Sequence, residues 1–142
     1  MRKFALALLV LASVLPARGG QAIEAHDAWI RYTPGDRPMA GYLVLENPGE
    51  EERRLVGASS EAFGAVHIHE TVETDGTMSM QPVDSVAVPA GESAALKPGG
   101  HHLMLMQRQR EIEVGDEVDL SLRFDDGSSI SVQFAVKPTW QE

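Results

Sequence analysis

The chain of 142 residues has no cysteine. That absence excludes disulfides, thiolate zinc and iron–sulfur sites, a cysteine nucleophile, and a blue-copper centre, whose trigonal site needs a thiolate. Basic residues are scarce: 12 Lys and Arg stand against 21 Asp and Glu, a formal net charge of −9. There is no general basic footprint for nucleic acid or for an anionic membrane surface. Long apolar runs are also lacking. The one at the start, Phe4 to Leu15, is too short for a comfortable transmembrane span. What remains is 43% hydrophobic and 23% charged, the make-up of a soluble globular protein with room for one domain. Six methionines and five histidines are the residues whose positions carry information.

The apolar run follows Arg2 and Lys3, is broken by Pro16, and leads to Gly20-Gln21-Ala22, with small residues at the −3 and −1 positions of a cleavage site. This pattern predicts a secretory signal peptide over residues 1–22 and export to a bacterial-type periplasm. A cysteine-free chain suits that oxidising compartment, and no cysteine follows the leader to accept a lipid. A monomeric domain is expected over residues 26–138.

Helical periodicity is absent from that region. Short alternating or β-branched runs are expected as strands at 28–32, 41–46, 53–58, 65–73, 77–83, 93–96, 102–107, 117–124 and 130–136. Turn chemistry separates them, as at Asn47-Pro48-Gly49, Asp75-Gly76, Pro98-Gly99-Gly100 and Asp125-Asp126-Gly127. Regular strands with frequent turns predict an antiparallel β-sandwich or barrel.

Side chains alternate across a strand. Val66 and Ile68 therefore share one face while His67 and His69 share the other. Leu103 and Leu105 oppose His102, Met104 and Met106, and Met78 pairs with Met80. The aliphatic set is the natural core, which sends the His/Met set to the outer surface. Asp75-Gly76 predicts a two-residue hairpin in which Thr74 pairs with Thr77 and Met80 with Thr71, so that Met80 becomes a diagonal neighbour of His69. His102 and Met104 join them only if their strand approaches this hairpin, and the spacing leaves that open. Thioether sulfur is a soft, neutral donor that favours Cu(I), and imidazole adds affinity and accepts Cu(II) as well. Met39 and His26 read as ordinary packing and surface residues. Met78, Met106, His67 and His101 stand equally well as neighbours of a site or as packing.

His69, ten residues, Met80, twenty-one residues, then His102-Leu103-Met104 form an H-x10-M-x21-H-x-M arrangement. It resembles the periplasmic copper chaperones of the PCu(A)C family, as do Ala28-Trp29-Ile30-Arg31, the stretch Leu55 to Ser60 and the stretch Leu96 to Met106. The resemblance covers nearly all of the chain beyond the leader. Glu70 departs from relatives that place a methionine directly after the first histidine, an optional position. The resemblance implies a cupredoxin-like antiparallel β-sandwich of Greek-key type with an exposed Cu(I) site formed by His69, Met80, His102 and Met104. It implies delivery of copper to the binuclear copper-site subunit of cytochrome c oxidase, alongside a thioredoxin-like Sco-type protein, and no enzymatic activity. A secondary Cu(II) site at His67 and His69, or at His26 with the mature N-terminus, is a further expectation. The rival readings are a copper buffer or resistance protein without a dedicated acceptor, a copper-dependent or other metalloenzyme, and a metal-free interaction sandwich.

Overall fold

A computed structural model describes residues 22–139. The leader expected over residues 1–22 lies, but for Ala22, outside the described residues. Ten strands follow one another: β1 (Glu24–Arg31), β2 (Met39–Glu46), β3 (Arg53–Ser59), β4 (Phe63–Thr74), β5 (Thr77–Pro82), β6 (Val86–Val88), β7 (Ser93–Leu96), β8 (His101–Arg108), β9 (Glu117–Phe124) and β10 (Ser129–Lys137). The described residues contain no α-helix.

Nine of these strands are those expected, with ends moved by a few residues. The extra one, β6, is only Val86-Ala87-Val88, too short for any alternation to declare it. It forms because Val86 and Val88 fill the core while the backbone pairs with Arg53–Leu55 of β3.

The strands join in the order β5-β4-β8-β2-β1-β10-β9-β3-β6, with β7 continuing the line of β8 along β2. The path folds into a sandwich. Ile30, Leu43, Leu45, Ile68, Leu103 and Leu105 of one layer meet Leu55, Leu120, Leu122, Phe124, Phe134 and Val136 of the other in one continuous core. The alternation in β9 is complete, with Val118, Leu120, Leu122 and Phe124 buried and the residues between them exposed. Met39 is buried in this core, as its packing role requires.

Antiparallel pairing prevails, with one exception. β1 runs parallel to β10, Trp29 opposite Ala135 and Ile30 opposite Val136. The first and last strands of the sandwich are thereby laid side by side, a long-range pairing to which no local turn contributes.

A β-bulge interrupts β1 between His26 and Trp29, where Asp27 has φ of 53°. The extra residue resets the alternation, so Glu24 and His26 before it and Trp29 and Arg31 after it face the same way. Ile23 and Ile30 are left to the core. The outer face of the β1-β2-β8-β4-β5 layer is assembled from these residues.

Candidate copper-binding face

The Asp75-Gly76 turn closes β4 on β5 as its chemistry demands. Both residues have positive φ, 50° and 80°, the signature of a type I′ turn. Thr74 pairs with Thr77 and Thr71 with Met80, the register expected from the turn. Met80 is thus the diagonal neighbour of His69 on the outer face.

The fold also supplies what the spacing left open. β8 lies against the other edge of β4, with His69 directly opposite His102, His67 opposite Met104 and Ala65 opposite Met106. The rings of His69 and His102 are 5.9 Å apart at their centroids. His69, Met80, His102 and Met104 therefore share one face of three adjacent strands, with Met104 and Met80 diagonal to His69 on opposite sides.

The four do not share one environment. Met80 is 57% exposed on the edge strand, and Met78 beside it is 58% exposed. His69 is partly covered. His102, expected on an open surface, is only 2% exposed. Its ring is on the expected side of the sheet, but Tyr42 stands beside it at 6.4 Å. The Lys97–Gly100 loop, held by Gly100 N–H donating to Lys97 O and Thr71 N–H donating to Gly100 O, joins it from the end of the strand. The site is half-buried rather than fully exposed.

Hydrogen bonding then singles out two ring nitrogens. His102 Nδ1 lies 3.4 Å from Gly100 O, a long contact that only a protonated Nδ1 can make. That tautomer leaves a lone pair on Nε2, which is buried without a partner. His69 Nδ1 is likewise buried and unpartnered. Buried polar atoms are nearly always paired, so two such nitrogens on directly opposed residues mark a place built for a further partner. A backbone carbonyl that fixes the tautomer of an imidazole is the usual support for a metal-ligating histidine.

Burial lowers the pKa of His102 below 6.5, reinforced by His69 and His101 and partly offset by the Gly100 carbonyl. His69 is lowered in the same direction by burial and by His67. Both rings are held neutral, with lone pairs free to donate. The linkage has a definite sign. In the unfolded chain these histidines take up protons near pH 6.5, whereas in the folded protein they resist protonation until lower pH. The contribution of these two histidines to the stability of the copper-free protein is therefore complete above about pH 6.5 and falls as the pH drops below it. Urea midpoints measured from pH 8 to pH 5 should decline on the acid side, and a flat profile would contradict the neutral-histidine assignment.

The undecided residues now have places. His67, Met78 and Met106 lie on the outer face; His101 does not. Its side chain takes the leucine side, where Nε2 pairs with Glu70 at 3.4 Å at the sandwich rim. His26 lies at the far end of the face, 3.1 Å from Glu46 and 3.8 Å from Glu24.

Missed in the sequence was the aromatic flank of the site. Trp29 stacks obliquely on Tyr42 at 4.8 Å. Arg31 lies over both rings at 5.7 and 5.4 Å, and Lys137 is 5.8 Å from the Trp29 ring. Trp29 faces this way because Ile30 beside it is in the core and Trp29 pairs with Tyr42, while the bulge at Asp27 brings Glu24 and His26 onto the same face.

Residues 23–136 match the family described as "Putative lipoprotein LpqE-like". The chain is 34% identical over 123 residues to "Putative lipoprotein Lxx21020" of Leifsonia xyli subsp. xyli, covering 86% of this chain and 74% of that protein. It is 32% identical over 98 residues to "Uncharacterized protein RP573" of Rickettsia prowazekii, covering 68% of this chain and 54% of that protein, so it spans about half of that relative's length. Among solved structures, the "Copper-bound PCuAC domain from PmoF2" has the same fold, with a TM-score of 0.69, 22% identity, and coverage of 82% of this chain and 92% of that domain. The solution structure of CuI-DR1885 from Deinococcus radiodurans superposes with a TM-score of 0.63 at 28% identity, over 89% of this chain and 81% of that one. Sequence match and strand architecture agree: the chain belongs to the family described as LpqE-like, and its fold is that of the PCuAC domains.

Proposed function

We propose that this protein is an exported copper chaperone that carries one Cu(I) on His69, Met80, His102 and Met104. In the periplasm it would deliver the ion to the binuclear copper-site subunit of a haem–copper cytochrome oxidase, working beside a Sco-type thioredoxin-like protein. The observation that carries the reading is the pair of unpartnered nitrogens on His69 and His102, directly opposed and flanked by two thioethers on the same face. The copper in the PmoF2 domain and the CuI in DR1885 support the ion; the leader pattern and the lipoprotein descriptions of the family and of one relative support export.

The donor set suits transfer. Two imidazoles and two thioethers bring no charge, and soft sulfur selects Cu(I) over zinc, magnesium or calcium. Without a thiolate the ion is held less firmly, so an acceptor can take it by ligand exchange. Met80 is the natural point of entry, because its edge strand β5 is exposed along its whole length. An incoming ligand replaces that thioether while buried His102 still holds the ion. The negative charge of the chain attracts cationic copper complexes and basic partner surfaces.

A Cu(I) competition titration against a chromophoric chelator tests this, with Met80→Leu/Met104→Leu alongside the wild type. Tight one-to-one binding is expected, weakened at least about a hundredfold in the variant, if each soft ligand is worth roughly the tenfold or more of an orienting group. Equal affinities would overturn the site. Metallation of an isolated oxidase copper-site subunit by the loaded protein is expected too; its failure would return the protein to the class of copper buffers.

A further inference from the structure

The register contains a tighter cluster than the spaced motif does. His67 and His69 on β4 oppose Met104 and His102 on β8, so these four residues form a two-by-two block on the outer face. Met80 lies outside the block, one strand away on the edge and diagonal to His69. Ring centroids are 6.1 Å apart for His67 and His69 and 5.9 Å apart for His69 and His102. With metal–nitrogen bonds of about 2.0–2.1 Å, imidazoles sharing one ion have ring centres roughly 5–6 Å apart. Both separations lie at that range, and His67 is exposed, so its ring has room to swing inward.

We propose that His67 is a third imidazole donor that gives this site a Cu(II)-binding form. In that form His67, His69 and His102 hold the ion with Met104 as a weak fourth ligand, while Cu(I) uses His69, His102, Met80 and Met104. The inference rests on the copper reading above and extends it to the oxidation state of the cargo. The reason is donor preference. Cu(II) is the harder ion and takes nitrogen and oxygen sets of tetragonal or trigonal shape, tolerating thioether sulfur as a long axial ligand; Cu(I) prefers the soft sulfurs. The two sets share His69, His102 and Met104 and differ in which flank closes, His67 on one side of His69 or Met80 on the other. No redox step is required of the protein: it accepts copper in whichever state it arrives.

The test uses His67→Asn and Met80→Leu in the whole protein, loaded separately with Cu(II) and Cu(I). Both side chains are exposed, so the fold should persist. For His67→Asn, Cu(II) affinity measured against a competing chelator should fall at least about tenfold. Its electron paramagnetic resonance spectrum should lose one coupled nitrogen, while Cu(I) affinity changes less than about threefold. Met80→Leu should do the reverse, leaving the Cu(II) spectrum intact. An unchanged Cu(II) spectrum in His67→Asn would overturn the proposal, as would an equal loss of both ions. If Cu(II) binding depends on His67 but Cu(I) binding ignores the Met80→Leu/Met104→Leu change, the Cu(I) assignment fails and the Cu(II) site stands.

Discussion

His102→Phe is expected to abolish tight Cu(I) binding while leaving the copper-free protein as stable as the wild type, or up to about 2 kcal/mol more stable. An unpaired buried polar atom costs about 1–3 kcal/mol, and replacing it by an apolar group of similar shape removes that cost. His102 Nε2 is such an atom, in a side chain 2% exposed and packed beside Tyr42. The wild type keeps it because the lone pair is useful only when an ion is bound. Urea unfolding with and without Cu(I) measures both halves. The wild type should gain stability with copper and the variant should not. The acid-side loss of stability should also shrink, since one of the two histidines responsible is gone. A variant that lost more than about 1 kcal/mol without copper would show that the imidazole supports the fold, contrary to the unpartnered nitrogen.

Phe134→Ala acts at the opposite layer and should cost about 3–5 kcal/mol, the range for deleting a fully buried aromatic ring. Phe134 is completely buried in β10, between the β9 pairing and the core. Its ring also reaches the neighbourhood of Gly41: a Cβ there would lie 3.7 Å from Phe134 Cε1 and 3.4 Å from Leu103 Cβ. Gly41 sits opposite Leu103 in the β2–β8 pairing, so the cavity opens beneath the strand that carries His102 and Met104. A small domain holds only about 5–15 kcal/mol in total, so the variant loses a large share of its stability, and nearly all of it at the low end of that range. Ligand binding to the folded state offsets this by mass action, about 4 kcal/mol at a free ligand concentration a thousand times Kd. Cu(I) should therefore restore the cooperative unfolding transition of Phe134→Ala and leave that of a Phe134→Ala/His102→Phe double variant unrestored. Rescue in both would mean that the ion binds elsewhere.

The hairpin was legible because Asp75-Gly76 leaves only one common turn type, and a two-residue turn fixes the register of both strands at once. The partition of β8 into Leu103 and Leu105 against His102, Met104 and Met106 was legible for an equally local reason, the period of two along a strand. Strand β9 declared itself through the same alternation. Local rules of this kind need no knowledge of neighbours.

The sequence by itself determined nine of the ten strands, the β4–β5 register and the sides on which His69, Met80, His102 and Met104 lie, because turn chemistry and side-chain alternation act within a few residues. Only the tertiary structure decided that β8 pairs with β4, with His69 opposite His102 and His67 opposite Met104. It alone decided that β1 runs parallel to β10 and that the bulge at Asp27 puts His26 and Trp29 on one face. It alone enclosed His102 between Tyr42 and the Lys97–Gly100 loop. These outcomes depend on contacts between residues far apart in the chain, whose pairing is chosen by the burial of one shared core and not by the composition of any one strand.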